Sequence, residues 1–278
     1  MVSKHTHVGF MALALALLMP SADASAAEPS PDASDSQSVA EAANDANNPL
    51  AQLIGVNIHN YYVPKWYGDP DLTTNALQLR VIAPFWRVLP RLTLPIVTQR
   101  DTNGDVRTGT GDLNLFVTFL LTKPNSRFQA GLGPLYVAPT ASFETAGQGK
   151  HQLGAALILV GESKRVLGGT LTTYQAAIAG DPERPFVQTL VHQIFIIMQV
   201  GQGWYLRSTP VWTFDLQTGN FNMPFGIGAG KVFPFERVVV NMFIEPQATL
   251  AKYGALTPAL QVFMGLNLQF PLKARSVD

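Results

Sequence analysis

Serine and histidine are the residue types in this chain that could support nucleophilic catalysis, since cysteine is absent. The three histidines beyond the N-terminal region, His59, His151 and His192, are not spaced as metal ligands. His192 and Ser208 fall on neighbouring predicted strands, an arrangement that a membrane hydrolase would need. The tight turn between these strands would place His192 opposite Val211, about 10 Å along the strand from Ser208 at ~3.4 Å per residue. The sequence therefore predicts no catalytic residue and no enzyme.

Two short segments resemble ion-binding or phosphate-binding loops. Residues 101–112 carry aspartates at calcium-loop spacing, but Val106 stands where such a loop needs glycine, and Asp112 replaces the usual glutamate. Residues 226–231 are glycine-rich and end in lysine, yet no serine or threonine follows and no helix is predicted there. We interpret the first segment as a polar outer loop and the glycines of the second as inward positions that leave room in a lumen. No metal and no cofactor is predicted.

The elements that must carry these residues show a period of two rather than 3.6 from Leu50 onward. Such alternation is typical of strands whose two faces meet different media. One face of the last segment carries Leu260, Val262, Met264, Leu266, Leu268 and Phe270. The same pattern predicts about twelve strands, near residues 52–62, 75–85, 91–98, 112–122, 127–137, 151–161, 166–176, 188–200, 203–213, 223–233, 237–250 and 258–271.

The length of these strands and the sorting of their connections indicate an outer-membrane barrel. Most strands approach the roughly 9–11 residues that cross a bilayer when tilted. Long and short connections alternate strictly, as expected for outer loops and periplasmic turns. Because lipid offers no hydrogen bonds, the twelfth strand should pair with the first. Aromatic residues near strand ends suit two interfacial girdles: Tyr61, Tyr62, Trp66, Trp86, Tyr136, Trp204, Trp212, Phe233, Phe235 and Phe270. The predicted fold class is an all-β, antiparallel transmembrane barrel.

The N-terminal region is predicted to be separate from the barrel. Residues 1–26 have the charged, apolar and small-residue order of a secretory signal peptide, with cleavage expected after Ala26, or alternatively after Ala24. Residues 27–49 are acidic and offer little to bury, so they are predicted to be a disordered leader. Residues 50–271 form the barrel and 272–278 a C-terminal tail. The net charge of zero gives no electrostatic basis for binding nucleic acid.

Polar residues on the inward face are the candidate functional residues. We expect Arg80, Arg207, Asp112 and Glu245 to line or gate a narrow solute path. Pairing around the last loop should place Asn241 opposite Asn267, and Gln247 opposite Gln261. The alternative is that the inward residues only hydrogen-bond one another and fill the lumen. The predicted lumen set is Asn57, His59, Arg80, Asp112, Asn114, Arg207, Asn241, Glu245, Gln247 and Asn267, with Gln78 and Gln269 on the same face.

Several short segments together resemble one family. They are Gly109-Thr110-Gly111-Asp112, Gly131-Leu132-Gly133-Pro134, residues 225–231 and Glu245-Pro246-Gln247. Over about residues 50–271 the chain is similar to outer-membrane transporters of the MetA-pathway-of-phenol-degradation family. The resemblance implies passage of small, hydrophobic or aromatic solutes and supplies no catalytic residues.

The favoured function is a porin-like transporter or channel for small compounds in the outer membrane of a Gram-negative cell. Twelve strands lie between a filled eight-stranded barrel and an open sixteen-stranded porin, so we expect a narrow passage. The expected partners are outer-membrane lipid, a small-molecule solute and the export and barrel-assembly machinery. A non-transporting structural or binding barrel is the second interpretation, and a membrane hydrolase is the third.

Overall fold

Antiparallel strands account for nearly all of the residues that the computed structural model describes, which are residues 39, 42–124 and 126–271. Their alternating apolar and polar residues suit extended backbone with two unlike faces. The strands are β1 (Leu53–Tyr67), β2 (Thr73–Ile82), β3 (Val88–Arg100), β4 (Val106–Thr110), β5 (Leu113–Leu120), β6 (Phe128–Ala138), β7 (Lys150–Glu162), β8 (Val166–Gly180), β9 (Gln188–Gly201), β10 (Trp204–Ser208), β11 (Val211–Asp215), β12 (Phe221–Gly226), β13 (Gly228–Pro234), β14 (Val239–Tyr253) and β15 (Thr257–Pro271).

Three pairs of these strands are halves of one barrel strand, so the barrel has the twelve strands that the sequence predicts. β4 and β5 both pair with β3, β10 and β11 both pair with β9, and β12 and β13 both pair with β14. The middle break falls at Thr209-Pro210, where proline cannot donate a backbone hydrogen bond to the ladder.

The sheet closes on itself. β1 pairs with β15 along its length, from Leu53 opposite Pro271 to Tyr67 opposite Thr257, and β14 completes the circle by pairing with β15. The predicted pairing of the first strand with the last is confirmed. Closure satisfies the backbone groups that an open edge would leave unpaired in lipid.

The outer surface is apolar, whereas the inner face combines the polar residues with a buried apolar cluster that includes Phe116, Ile158 and Phe195. Val81, Leu157 and Ile244 are 48%, 38% and 53% exposed on the outer surface, whereas Asn57 and Glu245 are 7% and 0% exposed. The sequence predicts these outward apolar side chains, because the outer surface of a membrane barrel meets hydrocarbon. No helix among the described residues is long and apolar enough to span a membrane.

The two ends of the barrel differ less in loop length than the sequence predicts. The connections at 83–87, 163–165, 202–203 and 235–238 form the short-turn end, which is the periplasmic end in outer-membrane barrels. The opposite connections were expected at 63–74, 99–111 and 177–187. The strands are longer than predicted, so the observed connections at the long-loop end are only 68–72, 101–105 and 181–187.

The segment before the barrel departs from the expected disordered leader. Residues 42–47 are helical, and Ala43, Asn44, Ala46, Asn48 and Leu50 are buried against the lumen wall. Ala43, Ala46 and Leu50 share one face of this segment and belong to the buried apolar cluster of the lumen. We call residues 42–50 the lumen segment. The predicted signal peptide, the rest of the leader except Val39, and the tail at 272–278 lie outside the described residues.

Candidate functional site

Two neighbouring spaces lie inside the barrel. The outer vestibule, at the long-loop end, has a volume of about 750 Å³, and the inner cavity near mid-barrel has about 170 Å³. Tyr61 lines both spaces, so its ring lies between them. Beyond the inner cavity the lumen segment contributes Ala46, Asn47, Asn48 and Pro49 to the lining. The path from outside therefore narrows from the vestibule to the cavity and ends at this segment.

Arg207 and Glu245 form a buried ion pair in the barrel wall. The Arg207 Nε donates to Glu245 Oε2 at 2.8 Å. The same carboxylate accepts hydrogen bonds from the Thr209 backbone N–H, the Thr209 hydroxyl and Gln247 Nε2, each at 2.8 Å. Glu245 is therefore fully satisfied, as a buried carboxylate must be if it is to stay charged.

A second polar network surrounds Arg80. Its Nε donates to Thr93 Oγ1 at 3.2 Å and its Nη2 donates to Gln78 Oε1 at 2.9 Å. His59 Nε2 lies 2.7 Å from Asn267 Oδ1, which only an N–H donor can satisfy. His59 Nδ1 is thus the acceptor for Arg80 Nη1 at 3.3 Å. All of these partners are neutral.

Aromatic rings form the apolar part of the inner cavity. Tyr61 stacks on Phe263 with ring centroids 4.2 Å apart, and Phe243 meets Phe263 edge to face at 4.8 Å. The Arg207 guanidinium lies 3.5 Å above the Phe243 ring, and the Arg91 guanidinium lies 3.7 Å above the Phe116 ring. The cavity thus combines cations with aromatic faces.

The lumen segment is tied to the wall by side-chain amides. Asn44 Nδ2 donates to Glu162 Oε1 at 2.8 Å, and Asn48 Nδ2 donates to Gln129 Oε1 at 3.3 Å. The reverse direction is also used, since Asn241 Nδ2 donates to the carbonyl of Ala46 at 3.2 Å. Gln199 and Gln269 add one hydrogen bond each, to Asn44 and to Ala46. These contacts hold the segment across the short-turn end of the lumen.

The predicted lumen residues divide into three groups. Asn57, His59, Arg80, Arg207 and Asn267 line the inner cavity. Asn241, Glu245 and Gln247 face inward but are buried in the wall networks, with Gln78 and Gln269 lining the vestibule and the inner cavity respectively. Asn114 lies at an inward position of β5 and lines neither space. The predicted pairs are confirmed, with Asn241 opposite Asn267 and Gln247 opposite Gln261.

Asp112 is the exception, because it does not line the lumen path. It lies at the break between β4 and β5, where its Oδ1 accepts from the backbone N–H of Ala141 at 3.2 Å. Its Oδ2 accepts from the backbone N–H of Gln148 at 2.6 Å. The carboxylate therefore holds the 139–149 loop in place. Asp101 likewise accepts from backbone N–H groups of its own hairpin turn.

The possible catalytic pair, His192 and Ser208, is too far apart for a hydrogen bond. His192 pairs with Trp212 rather than with Val211, because the turn falls at 202–203, one residue later than expected, and a register shift between Trp204 and Tyr205 takes back one of the two positions that this adds. Ser208 pairs with Ile196, four residues from His192, or roughly 14 Å at ~3.4 Å per residue. His192 Nδ1 instead lies 2.8 Å from the hydroxyl of Thr172.

The glycines of 226–231 make room for neighbouring side chains rather than for lumen space. A Cβ on Gly226 would meet Gln247 Cγ at 2.4 Å, and one on Gly230 would meet the Tyr205 ring at 2.3 Å. Tyr205 can therefore lie flat on the strand and donate to Asn241 Oδ1 at 2.5 Å. The residues at these positions serve packing of the wall.

Sequence reasoning missed several lumen residues. Arg91 was placed at the edge of a predicted strand, although it shares its face with Thr93 and could have been found by extending the alternation. Tyr61 was assigned to a girdle but turns inward. The asparagines of the lumen segment, Asn44 and Asn48, carry no local signal that distinguishes them from a disordered leader.

Comparison with known proteins gives the fold alone. No protein-family model matches the chain. None of the curated proteins matches it. Among solved structures, the COG4313 outer membrane channel from Pseudomonas putida F1 has a TM-score of 0.60 at 16% identity, over 80% of this chain and 96% of that one. The NanC porin follows with a TM-score of 0.49 at 9% identity, over 78% and 100%. The CymD monoaromatic hydrocarbon channel has a TM-score of 0.41 at 9% identity, over 83% and 93%. The chain thus shares the closed barrel fold of an outer-membrane channel, and the resemblance to the MetA-pathway family stays a prediction.

Proposed function

We propose that this protein is an outer-membrane channel for small solutes, with a path that runs from the outer vestibule through the inner cavity. The observation that carries the proposal is the succession of two spaces along the lumen, which share Tyr61 as a lining residue and end at the lumen segment. A barrel with a purely structural role would need neither the outer vestibule nor the inner cavity. The small inner cavity admits small solutes rather than polymers.

In this proposal the lumen segment is the last barrier to the periplasm. Its contacts with the wall are mostly single hydrogen bonds between neutral amides, each of which contributes only about 0.5–1.5 kcal/mol. Such contacts can be exchanged for contacts with water when the segment leaves the lumen. A covalent or strongly ionic attachment could not be released so easily.

The N-terminal signal peptide and the outer-membrane location belong to the same proposal. The outward apolar surface requires a lipid environment, and short turns at one end suit a barrel inserted from the periplasm. Export and barrel-assembly machinery would then be the partners during biogenesis.

The test is solute uptake by liposomes that contain the purified protein, measured with neutral solutes of increasing size. Asn44→Ala combined with Asn48→Ala removes two ties of the lumen segment, so uptake of the smallest solutes should rise several-fold over the unaltered protein. Asn103→Ala, in the exposed outer turn, is the matched control and should leave uptake unchanged. If neither the protein nor the double variant admits any solute above empty liposomes, a non-transporting barrel is the better interpretation.

A further inference from the structure

The inner cavity carries more positive charge than its surroundings neutralise. Its lining residues include three arginines, Arg80, Arg91 and Arg207, and no aspartate or glutamate. Arg207 is paired with Glu245 behind the lining. Among the described residues, neither Arg80 nor Arg91 has a carboxylate within 4.0 Å. Two of the three cations are therefore without a protein counter-charge.

Arg80 and Arg91 are also neighbours. Arg80 lies opposite Thr93 in the β2–β3 ladder, and Arg91 lies opposite Ile82, two residues further along the same face. Diagonal neighbours of this kind are about 7–8 Å apart, within reach of one another's long side chains. The two guanidinium groups thus border the same region of the cavity.

Arg91 is the less satisfied of the two. Its Nε is buried and has no hydrogen-bond partner among the described residues, and its strongest contact is the face of Phe116. An ionic group in a low-dielectric lumen is costly unless an opposite charge pairs with it. A ligand that brings a carboxylate would supply both the charge and the acceptor atoms. The planar guanidinium fork suits the two oxygens of a carboxylate.

The other residues that line the inner cavity indicate which chemical group should carry the carboxylate of the ligand. The stacked rings of Tyr61 and Phe263, together with Phe116, Leu89 and Leu171, give the cavity flat and apolar surfaces. A cavity volume of about 170 Å³ is close to the ~150 Å³ of an apolar cavity that binds benzene. A single ring with one carboxylate fits these limits, whereas an oligosaccharide or a nucleotide does not.

We propose that Arg80 and Arg91 form an anion-binding site in the lumen that takes small aromatic monocarboxylates. The ring would pack on the aromatic faces while the carboxylate bridges the two guanidinium groups. This inference rests on the proposed channel function, because the site lies on the same path and would select the solute that passes.

The experiment measures equilibrium binding to the full-length mature protein in detergent by isothermal titration calorimetry. Benzoate is the probe, benzamide is the neutral probe of the same shape, and acetate is the anion without a ring. Benzoate should bind most tightly. Arg91→Met should weaken benzoate binding by about tenfold or more, since it removes charge-assisted hydrogen bonds worth about 1.5–3 kcal/mol. Arg107→Met, at an exposed position of β4, should leave benzoate binding unchanged.

Each other outcome overturns the site. If benzamide binds as tightly as benzoate, the charge of the ligand does not contribute to binding. If acetate binds as tightly as benzoate, the ring does not contribute. If Arg91→Met binds benzoate as tightly as the unaltered protein, Arg91 does not bind the carboxylate. Arg80→Met is the second variant, should Arg91→Met not fold, and its unchanged affinity counts in the same way. Uptake of neutral solutes by liposomes tests the channel function separately from the anion site. If the protein admits neutral solutes but does not bind benzoate, only the anion site is rejected.

Discussion

Arg91 and Arg207 lie in the same lumen and differ in what neutralises them. Arg207 donates to Glu245 at 2.8 Å and is 6% exposed. Arg91 has the Phe116 ring beside it, and its Nε has no hydrogen-bond partner in the part of the chain that the structure describes. The same residue type therefore has a structural role at one position, while at the other its charge is available to a ligand.

The first prediction compares Arg207→Met with Arg91→Met. Removal of Arg207 leaves Glu245 buried without its counter-charge, so the free energy of unfolding should fall by roughly 3–5 kcal/mol. Removal of Arg91 takes away an unpaired cation, so the free energy of unfolding should stay the same or rise. Urea unfolding of the protein in lipid vesicles, followed by tryptophan fluorescence, measures both.

The control for this comparison is the double variant Arg207→Met with Glu245→Gln. It removes the buried charge together with its partner and should recover much of the stability lost in Arg207→Met. Equal destabilisation by Arg91→Met and Arg207→Met would mean that the two arginines have the same role in the wall.

At the scale of elements, the lumen segment is the part of the chain whose position bears most on function. Its residues 42–47 are helical, and isolated helices shorter than about 12–15 residues are marginal in water. Burial of Ala43, Ala46 and Leu50, with the amide contacts to the wall, provides the stability that the helix lacks. Its conformation therefore depends on the barrel around it.

The second prediction is that attaching this segment to the wall blocks the channel. Asn48 donates to Gln129 of β6, and the chain contains no native cysteine. Asn48→Cys with Gln129→Cys, joined by a short bis-maleimide, should reduce solute uptake by liposomes to the level of empty liposomes. Each single cysteine variant treated with the same reagent is the matched control, and its uptake should not fall below that of the unaltered protein. Unchanged uptake after complete cross-linking would show that solutes do not pass this segment.

For the whole molecule, stability depends on which side of the sheet meets lipid. Leu157 lies on the outward face near the middle of β7 and is 38% exposed, while Phe235 lies in the turn after β13 and is 60% exposed. Both are apolar and outward, but their expected depths in the bilayer differ. They test the position of the hydrocarbon layer on the barrel.

The third prediction is that Leu157→Arg costs about 2–4 kcal/mol of unfolding free energy in lipid vesicles, the cost of a cation at the bilayer midplane. Phe235→Arg should cost only about 0–1 kcal/mol from the charge, because it lies at the interface. Urea unfolding in vesicles of one lipid measures both. A larger cost at Phe235 than at Leu157 would contradict the placement of the membrane.

Much of the wall could be predicted from the sequence because alternation is a local property. The inward position of Asn57, Arg80 and Arg207 follows from the period of two within one strand. The pairs Asn241–Asn267 and Gln247–Gln261 follow from a tight connection between consecutive strands, which determines their register. Where the turn fell one residue later than expected, at 202–203, the partner of His192 changed with it.

The sequence by itself determined the twelve strands, their outward apolar face and the polar character of the lumen, since each depends on residues close together in the chain. Only the tertiary structure decided that Glu245 pairs with Arg207 while no described carboxylate pairs with Arg91, and that Asp112 holds an outer loop. It also placed Asn44 and Asn48 inside the barrel. These outcomes depend on which distant strands the closed sheet brings together, and a polar segment gains order only from the partners that closure provides.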